Sequence, residues 1–229
     1  IVELRDTGKI SEVAVEVYVV VGAPTNEILA ASGDAEMIVM GSHGATGAER
    51  LFFGSVAEVV SRTARCPVLV TRARDQQAES LFDRVVVGVD LGPNSDSVAR
   101  LAKQFVASGG TLEMVFVHHG PLFGTVEAAV DGAGQRIQAA IDDARAGAVT
   151  SLEDLGRSVA DDIVKIETIV ESGRVEDVLL ERAEKAGLLV VGSHSRELLR
   201  ERVLGTTADR VLRHSESPVL LMPLHTDEE

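Results

Sequence analysis

The residues best suited to chemistry sit in two glycine-bearing turns. One reads Met40-Gly41-Ser42-His43-Gly44, then nine residues, then Gly54-Ser55-Val56. The other reads Gly192-Ser193-His194-Ser195, then nine residues, then Gly205-Thr206-Thr207. In the first, an apolar strand (Met37–Met40) enters a turn whose glycines can take positive φ and admit a ligand close to the backbone. A helix over Val56–Ala64 should follow, with Ser55 as its N-cap. A helix N-terminus presents unpaired N–H groups and the positive end of its dipole, which together favour an anion. The predicted chemistry is a phosphate cradle built from backbone amides and a hydroxyl.

Other chemistries find less support. No Gly-x-x-x-x-Gly-Lys-Ser/Thr is present, which excludes a P-loop. Gly-x-Ser-x-Gly is absent too, so Gly41-Ser42-His43 is no nucleophile elbow. His118 and His119 are adjacent on an expected strand and point to opposite faces, so they do not form a metal pair. His43 and His194 fill matching loop positions and read as turn residues. With no general base aimed at a water near the phosphates, no catalytic residue is assigned and any phosphate hydrolysis should be slow.

The elements that position these turns come in two sets. Gly41-Ser42-His43 recurs as Gly192-Ser193-His194, an offset of 192 − 41 = 151 residues. The same offset carries Gly22 to Gly173, Gly54 to Gly205, Arg62 to Arg213 and Pro67-Val68-Leu69 to Pro218-Val219-Leu220. The chain is a tandem duplication. In the second repeat, strands are expected at Arg84–Asp90, Thr111–His118, Val164–Val170, Leu188–Gly192 and Pro218–Met222. Helices are expected at Asp96–Ser108, Val175–Ala186 and Thr206–His214, with a partly helical excursion over 121–161. Near-continuous β-branched strands alternating with helices predict an α/β fold with a parallel sheet covered on both faces.

The counterpart of Asp90 would fall at 90 − 151 = −61, before residue 1. The first repeat therefore lacks its opening strands, and further upstream residues are expected in the natural protein. What it retains is a strand at Val13–Val21, a helix after Pro24, Met37–Gly41, the helix after Gly54 and Pro67–Thr71. A half-sheet with unpaired edges should not be stable alone. The expected organisation is 1–74 for the partial repeat, 75–83 as linker, 84–224 for the complete repeat and 225–229 as an acidic tail.

Gly-x-x-Gly, nine residues, Gly-Ser resembles the signature of ATP-binding universal stress proteins. Val85–Asp90 is similar to that family's first strand, whose terminal Asp meets the adenosine end of the nucleotide. The resemblance implies tandem doubly wound five-stranded parallel sheets in the order 3-2-1-4-5. It also implies pairing of the last strands, 67–71 against 218–222, as an intrachain pseudo-dimer, or a homodimer through the same strands. It places Gly41, Gly44, Gly54, Ser55 and Val56 on phosphates in the first repeat. In the second it places Asp90 and the backbone near Val117 on the base and ribose, and Gly192, Ser195, Gly205, Thr206 and Thr207 on phosphates. The implied ligand is ATP, alone or with Mg. Only the second repeat holds both halves of such a site. Two positions depart from the pattern. Ser195 replaces the second glycine, which costs about 1–2 kcal/mol if positive φ is needed there. Asp90-Leu91-Gly92-Pro93 stands where Asp-Gly-Ser-Pro is usual. Arg196, Arg200 and Arg202, set against Glu197 and Glu201, could grip phosphates or form exposed helix pairs.

Composition bounds the partners. The 229 residues are 45% hydrophobic and 3% aromatic, with a net charge of −14. That charge argues against a nucleic-acid partner, and the scarcity of aromatics against single-strand stacking. The longest apolar runs fall short of the ~20 residues that span a bilayer, which fits a cytoplasmic protein. Cys66 is the sole cysteine and reads as a small buried hydrophobe. With 18 Arg against 4 Lys, the acidic balance fits either an Arg-favouring genome or a salt-adapted cytoplasm. Three functions remain: a nucleotide-binding stress regulator, an interaction module of the same fold that binds no nucleotide, and an adenylate-transferring enzyme.

Overall fold

A computed structural model describes residues 14–42, 53–72, 82–118, 133–193 and 204–224. Among these, seven strands and six helices alternate in an α/β arrangement. The first repeat supplies α1 (Pro24–Ala31), β1 (Ile38–Gly41), α2 (Ser55–Thr63) and β2 (Val68–Thr71). The second supplies β3 (Arg84–Gly88), α3 (Ser95–Gln104), β4 (Thr111–His118), α4 (Ala133–Val159), β5 (Lys165–Ser172), α5 (Val175–Ala183), β6 (Leu188–Gly192), α6 (Thr206–His214) and β7 (Val219–Met222). The strands form one sheet in the order β1-β2-β7-β6-β3-β4-β5. Every neighbouring pair is parallel except β2 with β7.

Sequence chemistry explains the central strands. Val85, Val86 and Val87 of β3 are buried on both faces, as the middle strand of a covered parallel sheet requires. One core layer, including Val86, Val115, Val117, Leu189 and Val191, lies beneath α5 and α6 and runs on without a break into Val60, Val68 and Val70 of the first repeat. The other, including Val85, Val87, Met114, Leu152 and Val190, lies beneath α3 and α4. Pro24 opens α1, where a missing N–H costs nothing. Gly109, at φ 79°, makes the turn from α3 into β4.

The seam between the repeats has its own symmetry. Val68 faces Leu221, Leu69 faces Leu220 and Val70 faces Val219. Because Leu69 and Leu220 are equivalent under the 151-residue offset, a pseudo-twofold axis passes between them. Across it, Arg62 of α2 reaches Asp209 of α6 at 3.3 Å, and Arg213 of α6 reaches Glu58 of α2 at 3.1 Å. These four residues are also equivalent in pairs, and each helix adds its own i,i+4 contact, Arg62–Glu58 at 3.1 Å and Arg213–Asp209 at 2.9 Å.

One expected element is absent. Residues 14–21 form no strand, and Val19 and Val21 are 94% and 99% exposed. Their counterpart, β5, pairs with β4 alone. Among the described residues no strand pairs with this segment. The excursion over 121–161 contains the 27-residue α4, while 119–132 lies outside the described residues, as do the 75–81 part of the expected linker and the 225–229 tail.

Candidate functional site

The end of β3 sets one wall of the site. Val89 N donates to Val115 O at 3.0 Å, extending the ladder one residue beyond the strand. Asp90 then turns the chain: its Oδ1 accepts from Gly92 N at 2.8 Å and from Ser95 Oγ at 3.0 Å. This side-chain turn ends the strand and leads into α3. Leu91, inside the turn, adopts φ 55°, a left-handed conformation that is rare for a branched side chain. The usual glycine at this position explains itself, and Leu91 carries the strain instead.

The opposite wall comes from β6 and α6. Ser193 N donates to Met222 O at 2.8 Å, and Gly205 N returns to Ser193 O at 2.8 Å. The loop between them is thus clasped at its base. The first repeat repeats the clasp: Ser42 N donates to Thr71 O and Gly54 N to Ser42 O, both at 2.9 Å. In α6 the first intrahelical bond runs from Asp209 N to Gly205 O at 2.9 Å, so the amides of Thr206, Thr207 and Ala208 precede the ladder.

Between these walls lies a cavity of about 410 Å³, a size suited to a small-molecule ligand. It sits over the carboxyl ends of β3, β4 and β6, where the chain leaves the neighbouring strands β3 and β6 for opposite faces of the sheet. Such switch points are where open α/β sheets bind ligands. Six predicted residues line it: Asp90, Val117, Gly192, Gly205, Thr206 and Thr207. Gly41, Gly54, Ser55 and Val56 do not; they stand at the end of β1 and the start of α2. Gly44, Ser195 and the three loop arginines lie outside the described residues. Sequence reasoning missed Asn94, Ser95 and Leu224 in the lining, and weighed His118 only as a metal ligand. Among the described residues no cluster of three or more His, Cys, Asp or Glu could hold a metal.

Two local expectations need correction. The described glycines of the turns do not take positive φ; Gly54 and Gly205 lie at −67° and −58°, and the described positive-φ glycines are Gly109 and Gly173. At Gly192 a Cβ would stand 2.8 Å from Leu224 Cδ1, the tip of a side chain that would have to move to admit it. The second correction is that Gly54, not Ser55, caps α2, and Ser55 is its first helical residue.

The sequence matches the profile of the universal stress protein family over residues 2–72 and again over 81–223. The chain belongs to the universal stress protein family. It is 28% identical over 211 residues to a universal stress protein of Mycobacterium tuberculosis, spanning 92% of this chain and 69% of that one. A universal stress protein of Methanocaldococcus jannaschii is 53% identical over 53 residues, 22% of this chain and 31% of its own length. The crystal structure of a universal stress protein from Archaeoglobus fulgidus superposes with a TM-score of 0.62 at 26% identity, covering 99% of this chain and 75% of that one. A Pseudomonas aeruginosa protein of unknown function shares the fold, with a TM-score of 0.65 at 19% identity over 96% of this chain and 75% of its own.

Proposed function

We propose that this universal stress protein binds an adenine nucleotide, ATP alone or with Mg, in the second repeat, and acts as a nucleotide-responsive regulator. The observation that carries the reading is the cavity that joins Asp90 and Val117 to Gly192 and the start of α6. Its two ends differ as a nucleotide's do. At one end stand hydrogen-bonding side chains. At the other, the leading amides of α6 and its dipole suit phosphates without needing a basic residue. The ionisable side chains in the described lining are Asp90 and His118, and neither belongs to the α6 end. With no described base beside the phosphate end, hydrolysis is slow. The reading extends to organisation: a partial unit, 1–74, and a complete doubly wound unit, 84–224, held as an intrachain pseudo-dimer in a cytoplasmic protein. Pairing of β2 with β7 supports it, and no described helix is long and apolar enough to cross a membrane.

Calorimetric titration with ATP, together with mass spectrometry of nucleotide released on denaturation, tests this. Gly192→Val places a branched side chain in the cavity wall against Leu224. It should weaken ATP binding about tenfold or more, which is about 1.4 kcal/mol, while the circular dichroism spectrum stays unchanged. Absence of ATP binding by the unaltered chain, or equal affinity in the variant, would refute the reading.

A further inference from the structure

His118 ends β4, and its Nε2 is buried without a hydrogen-bond partner among the described residues. Buried polar atoms are overwhelmingly paired, so an orphan of this kind calls for an explanation. Its location offers one, because His118 lines the cavity. Residues alternate across β4: Val117 belongs to the core layer under α5 and α6, whereas Phe116 packs into the layer with α3 and α4. His118 follows Phe116 in that alternation and stands on the α3 side. Asp90, Asn94 and Ser95 line the same side of the cavity. Both bonds to Asp90 end on Oδ1, and Asn94 makes no side-chain capping bond to α3. Three side chains at this corner thus retain unused hydrogen-bonding capacity, and the corner lies across the cavity from the amides of α6.

We propose that His118 Nε2 hydrogen-bonds the nucleoside portion of the ligand, at a ribose hydroxyl or the edge of the base, and that His118 is a specificity-determining residue of this site. This rests on the nucleotide-binding reading. A nucleoside offers donors and acceptors, either of which a neutral imidazole nitrogen can engage. The amides that open α6 are the groups of the lining suited to an anion, so phosphates are expected there and not at Nε2.

The test compares ATP, adenosine and inorganic triphosphate on the full chain and on His118→Phe and His118→Gln. The Phe variant should lose about three- to tenfold in affinity for both ATP and adenosine, as expected for one hydrogen bond. Triphosphate binding should not change, and Gln, whose amide can occupy the Nε2 position, should restore part of the loss. In the unaltered chain the His118 Nε2 nitrogen resonance should shift on adding adenosine, a readout that needs no variant to fold. A resonance that stays still, equal affinities in all three proteins, or a loss confined to triphosphate and ATP would overturn the assignment while leaving nucleotide binding intact. Failure of the unaltered chain to bind both ATP and adenosine would overturn the site reading itself, and this inference with it.

Discussion

The charge ring across the pseudo-twofold axis should stabilise the association of the repeats, and Arg62→Ala is the direct perturbation. Arg62 contacts Asp209 across the seam and Glu58 on its own helix, at 3.3 and 3.1 Å. The four side chains are 27–38% exposed, so solvent screens them substantially. Partly exposed pairs contribute about 0.2–1 kcal/mol each, and i,i+4 pairs about 0.3–0.5. Losing one of each kind should cost about 1 kcal/mol, or roughly 2–4 °C in a chain of this size. The effect also has a predicted pH dependence. Arg213 chiefly, and Arg62 as well, hold the Asp209 carboxyl below the usual carboxylate range. A depressed carboxylate stabilises the fold above its unfolded value of about pH 4 and loses that contribution as pH falls through the folded value. The penalty of Arg62→Ala should therefore be full at pH 7 and shrink below about pH 4. Thermal melts of both proteins at pH 7 and pH 3, with and without added salt, measure this. A penalty independent of pH and salt would show that Arg62 acts through packing and not charge.

Two further outcomes are expected. Leu91→Gly should be more stable than Leu91→Ala by about 1 kcal/mol in urea denaturation, because only glycine relieves the left-handed conformation; the reverse order would place the strain elsewhere. Glu113 is fully buried and pairs with both Arg84 and Arg182, so Glu113→Ala should cost about 3 kcal/mol by leaving two guanidiniums short of a carboxylate. A loss under about 1 kcal/mol would mean that solvent reaches Arg84, itself 40% exposed, well enough to replace the pair.

Much of the architecture was readable because it rests on repetition and periodicity. The 151-residue offset marked Pro67–Thr71 and Pro218–Met222 as equivalent strands, and the resemblance to universal stress proteins implied their pairing, seen as β2 against β7. Runs such as Val85-Val86-Val87 declared a buried parallel strand. What escaped depends on surroundings. The valines of 13–21 carry strong β propensity, yet a strand also needs a neighbour, and propensity does not report whether one exists. Gly192 and Gly205 are recognisable as special, but composition alone does not separate a glycine required for φ from one required for space. His118 showed the same ambiguity: as one of two adjacent histidines it invited a question about metals, and only the fold places it at a cavity wall. Leu91 was noticed as a departure from the usual turn, but its conformation became visible only once Asp90 was seen to fold the backbone around its own carboxylate.

The antiparallel seam has a directional consequence. Since β2 runs opposite to β7, the carboxyl ends of β1 and β2 emerge on the rim of the sheet opposite to the one that carries the cavity. Gly41 and Gly54 therefore open toward one pole of the molecule, and Asp90 and Gly205 toward the other. A small molecule seated at one pole leaves the other clear for a second binder. A signal passed from one pole to the other would run along the strands and helices that join them.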